Sequence, residues 1–317
     1  MDIRLYREGD EEGIRRLFAL CFGKEMSSEH WFWKYKTGPW GSSGAVVLDN
    51  GQIVAHYGGL GMRFYSKGRI YKAFEPCDVM THPKYRARLF ARRGAMVRAG
   101  EVFYEKTEMD FAFGFPSERH AILGTKQLGY TEHGFVAVMK KGRGGFRSRI
   151  SPLGRFKLEE GWDFIKPGDI DSIWEESKDT YGLSIVKDSR YIFWRYRDNP
   201  SKRYAPLALR RIMGKRPSAY AVTSVDGGVL SINDFFAKEK RIIKPLISSI
   251  ENLALKKGID KIQLWVNPAE EVFSLLKASG YEQDKGIPYI FKIVNTELTP
   301  SFLFKSYCYR PGDYDAG

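Results

Sequence analysis

The chain has 317 residues, 51 Lys and Arg against 38 Asp and Glu, and a formal net charge of +13. At roughly 100–200 residues per domain there is room for two domains, and 43% hydrophobic with 15% aromatic residues is enough to build a core and exclude a disordered chain. No apolar run reaches the ~18 residues of a membrane span, no apolar signal segment opens the chain, and Cys21, Cys77 and Cys308 lack the number and spacing of a disulfide framework or a zinc site, which fits a reducing cytoplasm.

Residues 3–6 alternate apolar and polar side chains, as a half-buried strand does. Asp10-Glu11-Glu12 opens a helix with acids in its first turn and Ile14, Leu17, Phe18 and Cys21 on its apolar face. Ser27 and Ser28 can cap a short helix through Trp31 and Tyr35, which Gly38-Pro39 ends. Its aromatics Phe32, Trp33 and Tyr35 belong to a core by their spacing, with a cleft wall as the second reading. Residues 45–48 and 52–55 flank an Asp49-Asn50-Gly51 turn and read as a hairpin. A strand over about 72–81 follows, closed by Pro83, then a long basic helix from about Arg88 to Lys106. A strand at 110–115, a helix to Leu128 and a strand near 136–139 complete a mixed α/β unit of order β-α-α-β-β-β-α-β-α-β.

Residues 140–151 (KKGRGGFRSRIS) are rich in Gly and Arg and read as a linker region, which places a linker at 143–153 between a first domain, 1–142, and a second, 154–317. Beyond it the pattern recurs. Phe32-Trp33-Lys34-Tyr35-Lys36 is echoed by Phe193-Trp194-Arg195-Tyr196-Arg197, Lys126 to Tyr130 by Lys277 to Tyr281, and Cys77-Asp78-Val79 by Asn233-Asp234-Phe235. Three echoes in the same order indicate an internal duplication. The aromatic segment 302–315 is expected to pack back as a strand.

The positive charge concentrates at Lys84, Arg86, Arg88, Arg92, Arg93 and Arg98, with no acid between them. They flank a turn from strand to helix, where unpaired N–H groups and the positive end of the helix dipole suit a phosphate or pyrophosphate.

The run Asp78-Val79-Met80-Thr81-His82-Pro83-Lys84-Tyr85-Arg86, with the later Gly114-Phe115-Pro116-Ser117 and Leu128-Gly129-Tyr130, resembles the GNAT superfamily of acyl-CoA N-acetyltransferases, most closely its Eis-like branch. The resemblance covers most of residues 1–140. It implies an α/β fold of two tandem GNAT-like domains, each a mixed, mostly antiparallel sheet flanked by helices. It also implies acetyl-CoA as cosubstrate and no metal. Met80 and Thr81 would meet the pantetheine arm, and Arg86, Ala87, Arg88, Leu89, Phe90 and Ala91 the pyrophosphate. Two positions depart from the family pattern. Leu89 replaces the central Gly of the pyrophosphate loop, and Thr125 stands where many members carry the Tyr that protonates the departing thiolate.

Direct amine acetylation needs a base for the substrate ammonium. Glu75, on the strand before the loop and on the face shared with Cys77 and Val79, is the candidate; a strand-edge ion pair is its plainer reading. His120, at the start of the helix after 110–115, is an alternative acid or base, with capping as its plainer role. The second half lacks a pyrophosphate loop and is expected to shape substrate binding or assembly. The leading expectation is therefore an N-acetyltransferase moving an acetyl group to a primary amine of a small molecule or peptide. A non-catalytic acyl-CoA or partner binder and an aminoacyl-tRNA-dependent transferase stand behind it; nucleic acid is not the expected partner.

Overall fold

The computed structural model describes residues 1–88, 94–131, 134–146 and 156–315. The first half runs β1 (Asp2–Leu5), α1 (Glu11–Phe22), α2 (Ser28–Lys36), β2 (Ser42–Asp49), β3 (Gln52–Ser66), β4 (Arg69–Thr81), α3 (Ala95–Lys106), β5 (Phe111–Gly114), α4 (Glu118–Gln127) and β6 (Gly134–Gly142). The second runs β7 (Phe156–Glu160), α5 (Pro167–Ser177), β8 (Ser184–Ile185), α6 (Ser189–Ile192), β9 (Ala205–Arg211), β10 (Pro217–Asp226), β11 (Val229–Ala237), α7 (Ile243–Lys256), β12 (Lys261–Trp265), α8 (Glu271–Ala278), β13 (Glu282–Ile293) and α9 (Pro300–Ser306). Apart from the two-residue β8 and the appended α9, the second half repeats the order of the first.

Local sequence explains most boundaries. The Ser27 hydroxyl accepts from the His30 N–H and caps α2, and Gly23 ends α1 at φ +70°. Asn50-Gly51, Lys67-Gly68 and Gly227-Gly228 all have positive φ, the geometry of type I′ hairpin turns, and they join β2–β3, β3–β4 and β10–β11. The basic helix is shorter than its sequence pattern suggests: residues Pro83–Arg88 form a 3-10 turn, and the α-helix starts at Ala95 behind Gly94. Segment 302–315 is not a strand. The Thr299 side chain caps α9, Pro300 fits the first helical position, and a short 3-10 turn follows at Pro311–Asp313. The expected linker is partly strand, because β6 continues to Gly142, where buried Lys141 pairs with Glu251 at 2.8 Å.

Among the described residues the strands form one sheet, in the order β1-β2-β3-β4-β5-β13-β6-β12-β11-β10-β9-β7, with the short β8 paired to β3 off this path. When each second-half strand is mapped onto its counterpart, this order reads the same from both ends. The centre holds a reciprocal exchange. β13 pairs antiparallel with β5 of the first half, β6 pairs antiparallel with β12 of the second, and β6 and β13 pair with each other. Each half thus receives its last strand from the other.

The aromatic-basic echoes meet on the same pseudo-axis. Phe193–Arg197 forms a π-helical turn continuing α6, and Trp194 stacks on Trp33 with ring centroids 5.4 Å apart. Each indole N–H donates to the other residue's carbonyl, at 2.7 and 3.0 Å. The Tyr35 hydroxyl donates to Asp78 at 2.6 Å, and the Tyr196 hydroxyl donates to Asp234 at 3.0 Å.

Candidate active site

β4 pairs with β3 along its whole length but with β5 only at Ala73 and Phe74. Past Phe74 comes Pro76, which has no N–H for a ladder, and the two parallel strands part. A cavity of about 290 Å³ occupies the opening. On one side it is walled by Phe18, Phe22 and Lys24 at the end of α1 and by Tyr314 and Asp315; on the other by Met96 of α3, Leu123 and Gly124 of α4, and Tyr57 and Tyr130. Glu75, Cys77, Asp78 and Val79 form its β4 edge, and Gly114, whose missing Cβ would meet open space, its β5 edge.

β4 carries a bulge here. Two residues, Asp78 and Val79, oppose Tyr57 alone, and Asp78 adopts φ +46°. The simple alternation expected for this strand therefore fails, and both Cys77 and Asp78 reach the Tyr35 hydroxyl, at 3.4 and 2.6 Å. Asp78 also meets the buried Lys34 ammonium at 3.0 Å.

The two carboxyls on this strand have opposite character. Against the cost of burial, Lys34 and the Tyr35 hydroxyl hold Asp78 below the usual carboxylate range. Glu75 is 3% exposed, and burial pushes it up to about 8, with Asp315 acting in the same direction and Arg195 and Lys34 opposing. One Glu75 oxygen accepts from the Asp315 backbone N–H at 2.9 Å. A carboxyl that ionises near neutral pH beside one that stays ionised is a pairing suited to proton transfer.

His120 also lines the cavity, at the third position of α4, with Nδ1 2.8 Å from the Ser117 hydroxyl that caps the helix. Crowding by the surrounding protein and the Arg119 cation lower its pKa. Glu75 and His120 are thus brought together, whereas Met80, Thr81 and Arg86 lie farther along β4 and its following turn. The Arg86 Nε donates to the Thr81 carbonyl at 3.0 Å, and the Thr81 hydroxyl is buried without a hydrogen-bond partner. Ala87 and Arg88 end the 3-10 turn, their side chains outside the described set; Leu89, Phe90 and Ala91 lie outside the described residues altogether.

Several wall residues carry no sequence expectation. The hydroxyls of Tyr57 and Tyr104 are 2.8 Å apart, and Tyr104 in turn bonds Tyr130, giving a buried chain whose two ends line the cavity. Burial raises all three phenols, so they stay protonated. Thr125 turns away and donates to the Ile122 carbonyl at 3.0 Å. Lys34, Arg195 and Asp315 form the polar ground beneath Glu75. Among the described residues, no group of three or more His, Cys, Asp or Glu side chains is placed to hold a metal ion, and no helix is long and apolar enough to cross a membrane.

Residues 2–132, which contain this cavity's β4 and β5 edges, match the family model of the GNAT acetyltransferase domain. Over these residues the chain is similar to a GNAT acetyltransferase domain. The whole chain has the fold of several solved structures. A protein of Enterococcus faecalis V583 described as a probable N-acyltransferase superposes with a TM-score of 0.72 at 12% identity, over 93% of this chain and 72% of that one. Eis1 of Mycobacterium abscessus gives 0.65 at 14% identity, over 93% and 74%. A tandem GNAT protein from the clavulanic acid biosynthesis pathway gives 0.58 at 9% identity, over 94% and 100%. No curated protein matches the sequence.

Proposed function

We propose that the protein is an acyl-CoA-dependent N-acyltransferase that uses acetyl-CoA and passes the acetyl group to a primary amine, of a small molecule or a peptide, by direct attack. The observation that carries this reading is a buried carboxyl with an elevated pKa, Glu75, at the opening between β4 and β5 of a GNAT domain. The donor supplies an activated thioester. The free edge of β4 beyond Phe74, the unpartnered Thr81 hydroxyl and the open space at Gly114 suit its pantetheine arm, with Met80 beside them. Arg86, in the turn that follows β4, suits the diphosphate. Residues 1–142 hold the donor in this reading, and 154–317 shape the acceptor side.

Glu75, once ionised, takes the proton of the acceptor ammonium, directly or through one water. Three hydroxyls in a row use two protons within the Tyr57–Tyr104–Tyr130 chain. The third remains for a hydrogen bond into the cavity, where it can stabilise charge on the reacting oxygen or sulfur in place of the tyrosine phenol that Thr125 does not supply. His120 is the alternative donor. The free cysteines accord with a reducing, cytoplasmic setting.

Titration calorimetry with acetyl-CoA, followed by thiol release across a panel of amines, tests the reading. Binding with amine-dependent thiol release is the expected result. Binding without release for any amine leaves the non-catalytic binder, and no binding at sub-millimolar acetyl-CoA overturns both.

A further inference from the structure

Glu75 rests on a segment that belongs to neither of the strands around it. Residues 311–315 follow α9, cross from the second half and end against β4, where the Asp315 N–H meets Glu75. Two cations from the paired aromatic-basic echoes hold that segment. Arg195 donates from Nε to the Gly312 carbonyl at 2.8 Å and from a terminal nitrogen to the Tyr314 carbonyl, and another terminal nitrogen lies 3.9 Å from the Asp315 carboxylate. Lys34, its counterpart in the first half, pairs with the same carboxylate and with Asp78. All are at least nine-tenths buried.

We propose that Arg195 and Lys34 are positioning residues that clamp Asp315 from both halves, so that its main-chain N–H fixes Glu75 and its carboxylate sets the charge Glu75 faces. The proposal rests on Glu75 as the base of the proposed reaction. The geometry favours it over simple packing because one carboxylate is shared by two cations, one from each half, while the adjoining N–H is turned onto the candidate base. The charged and titratable groups facing Glu75 are Lys34 from α2, Arg195 from the π-helical turn, and Asp315, Tyr314 and Tyr307 from the segment after α9, with Asp78 on its own strand and His120 of α4 lining the same cavity. The phenols are held protonated by burial, so the balance lies among two cations and one carboxylate.

The two signs of charge make a test that mere loosening of the segment cannot imitate. In wild type, the acidic limb of the kcat/KM profile reports Glu75 ionisation. Arg195→Met removes a cation that favours ionised Glu75, so the limb should move up by about one pH unit; Asp315→Asn removes an opposing anion, so it should move down by a similar amount. Arg195→Lys keeps the charge and should hold the limb near its wild-type position, which covers the case in which Arg195→Met fails to fold. Glu75→Gln separates the two claims. If the limb persists in Glu75→Gln, the base assignment falls. If it vanishes there but stays unmoved, or moves in the same direction, in Arg195→Met and Asp315→Asn, the clamp is overturned and the base stands.

Discussion

The two halves share their element order, their exchanged last strand and an aspartate bonded to a tyrosine, yet their clefts differ. In the first half the parallel pairing ends at Phe74. In the second it continues to Ile232, whose counterpart, by the offset that maps Asp78 onto Asp234, is Pro76. A ladder that can continue does so, and one that meets proline opens. What packs beside each strand pair differs as well. In the second half, Asp234 meets Lys187 at 2.8 Å, and Lys187 also pairs with Asp313. Arg310 stacks on Phe235, 4.3 Å from the ring centroid, and grips Glu270 with two bonds of 2.9 and 2.8 Å. Gly312 lies so near Tyr196 that a Cβ there would sit 1.7 Å from the hydroxyl. The same segment that packs against the second strand pair goes on to wall the first. Duplication supplied two related strand pairs, and one stretch of chain packs against one and goes on to wall the cavity beside the other.

The strongest way to break this comparison is at the strand itself. Glu75→Gln is expected to lower kcat by about 10²–10⁴-fold, the usual worth of a general base, with the dissociation constant for acetyl-CoA unchanged by calorimetry. Ser231, the counterpart of Glu75 under the same offset, should tolerate Ala with no change in kcat. A Glu75→Gln enzyme with wild-type kcat would remove the functional asymmetry between the two strands.

Next is the packing of this segment against the second half. Arg310 is fully buried, and Arg310→Ala leaves Glu270 without its bidentate partner, a loss of about 3–5 kcal/mol of unfolding free energy. Urea denaturation measures it. A loss below about 1 kcal/mol would mean that the segment is not held there by this contact.

A smaller effect probes the axis between the halves. Trp33→Phe keeps a ring to stack on Trp194 but leaves a buried carbonyl without its N–H donor, costing about 1–3 kcal/mol. Trp194→Phe should cost a similar amount, and the double variant less than the sum of the two, because the residues share one contact. Unequal single losses with full additivity would show that the reciprocal pair is not symmetric in energy.

Much of this was legible in local sequence. The Asn50-Gly51 turn, the Ser27 cap and the alternation of the early strands predict the element order of the first half, and the FWKYK and FWRYR strings announce the duplication. The strand exchange was not legible, because β6 and β13 have the same alternation whichever sheet they join; the choice is made by non-local pairing. Glu75 and His120 come from one stretch and its following helix, so motif spacing finds them. Tyr57, Tyr104 and Tyr130 sit on separate elements, 47 and 26 residues apart, and nothing local links them. Lys34 and Arg195 were in plain view inside the echoed strings. A cation embedded in an aromatic run is a signal of buried pairing, but its partner, Asp315, lay on a segment whose pattern suggested a strand.

The last effect concerns pH and stability. Folded Glu75 ionises near pH 8, far above the usual value of about 4.3 for the unfolded chain. Between these limits the folded state binds the extra proton. The stabilisation linked to this group is therefore complete below about pH 4, and is lost as pH rises through about 8. Urea unfolding of wild type should show stability falling across this window, with other groups superposed. Glu75→Gln, which cannot ionise, should flatten the slope between pH 5 and 8. Ser231 sets no such slope in the second half, so Ser231→Ala should leave the profile parallel to wild type. Parallel profiles for wild type and Glu75→Gln would show that Glu75 ionises in the folded protein much as it does in the unfolded chain, and the difference in character between the two strands would then rest on geometry alone.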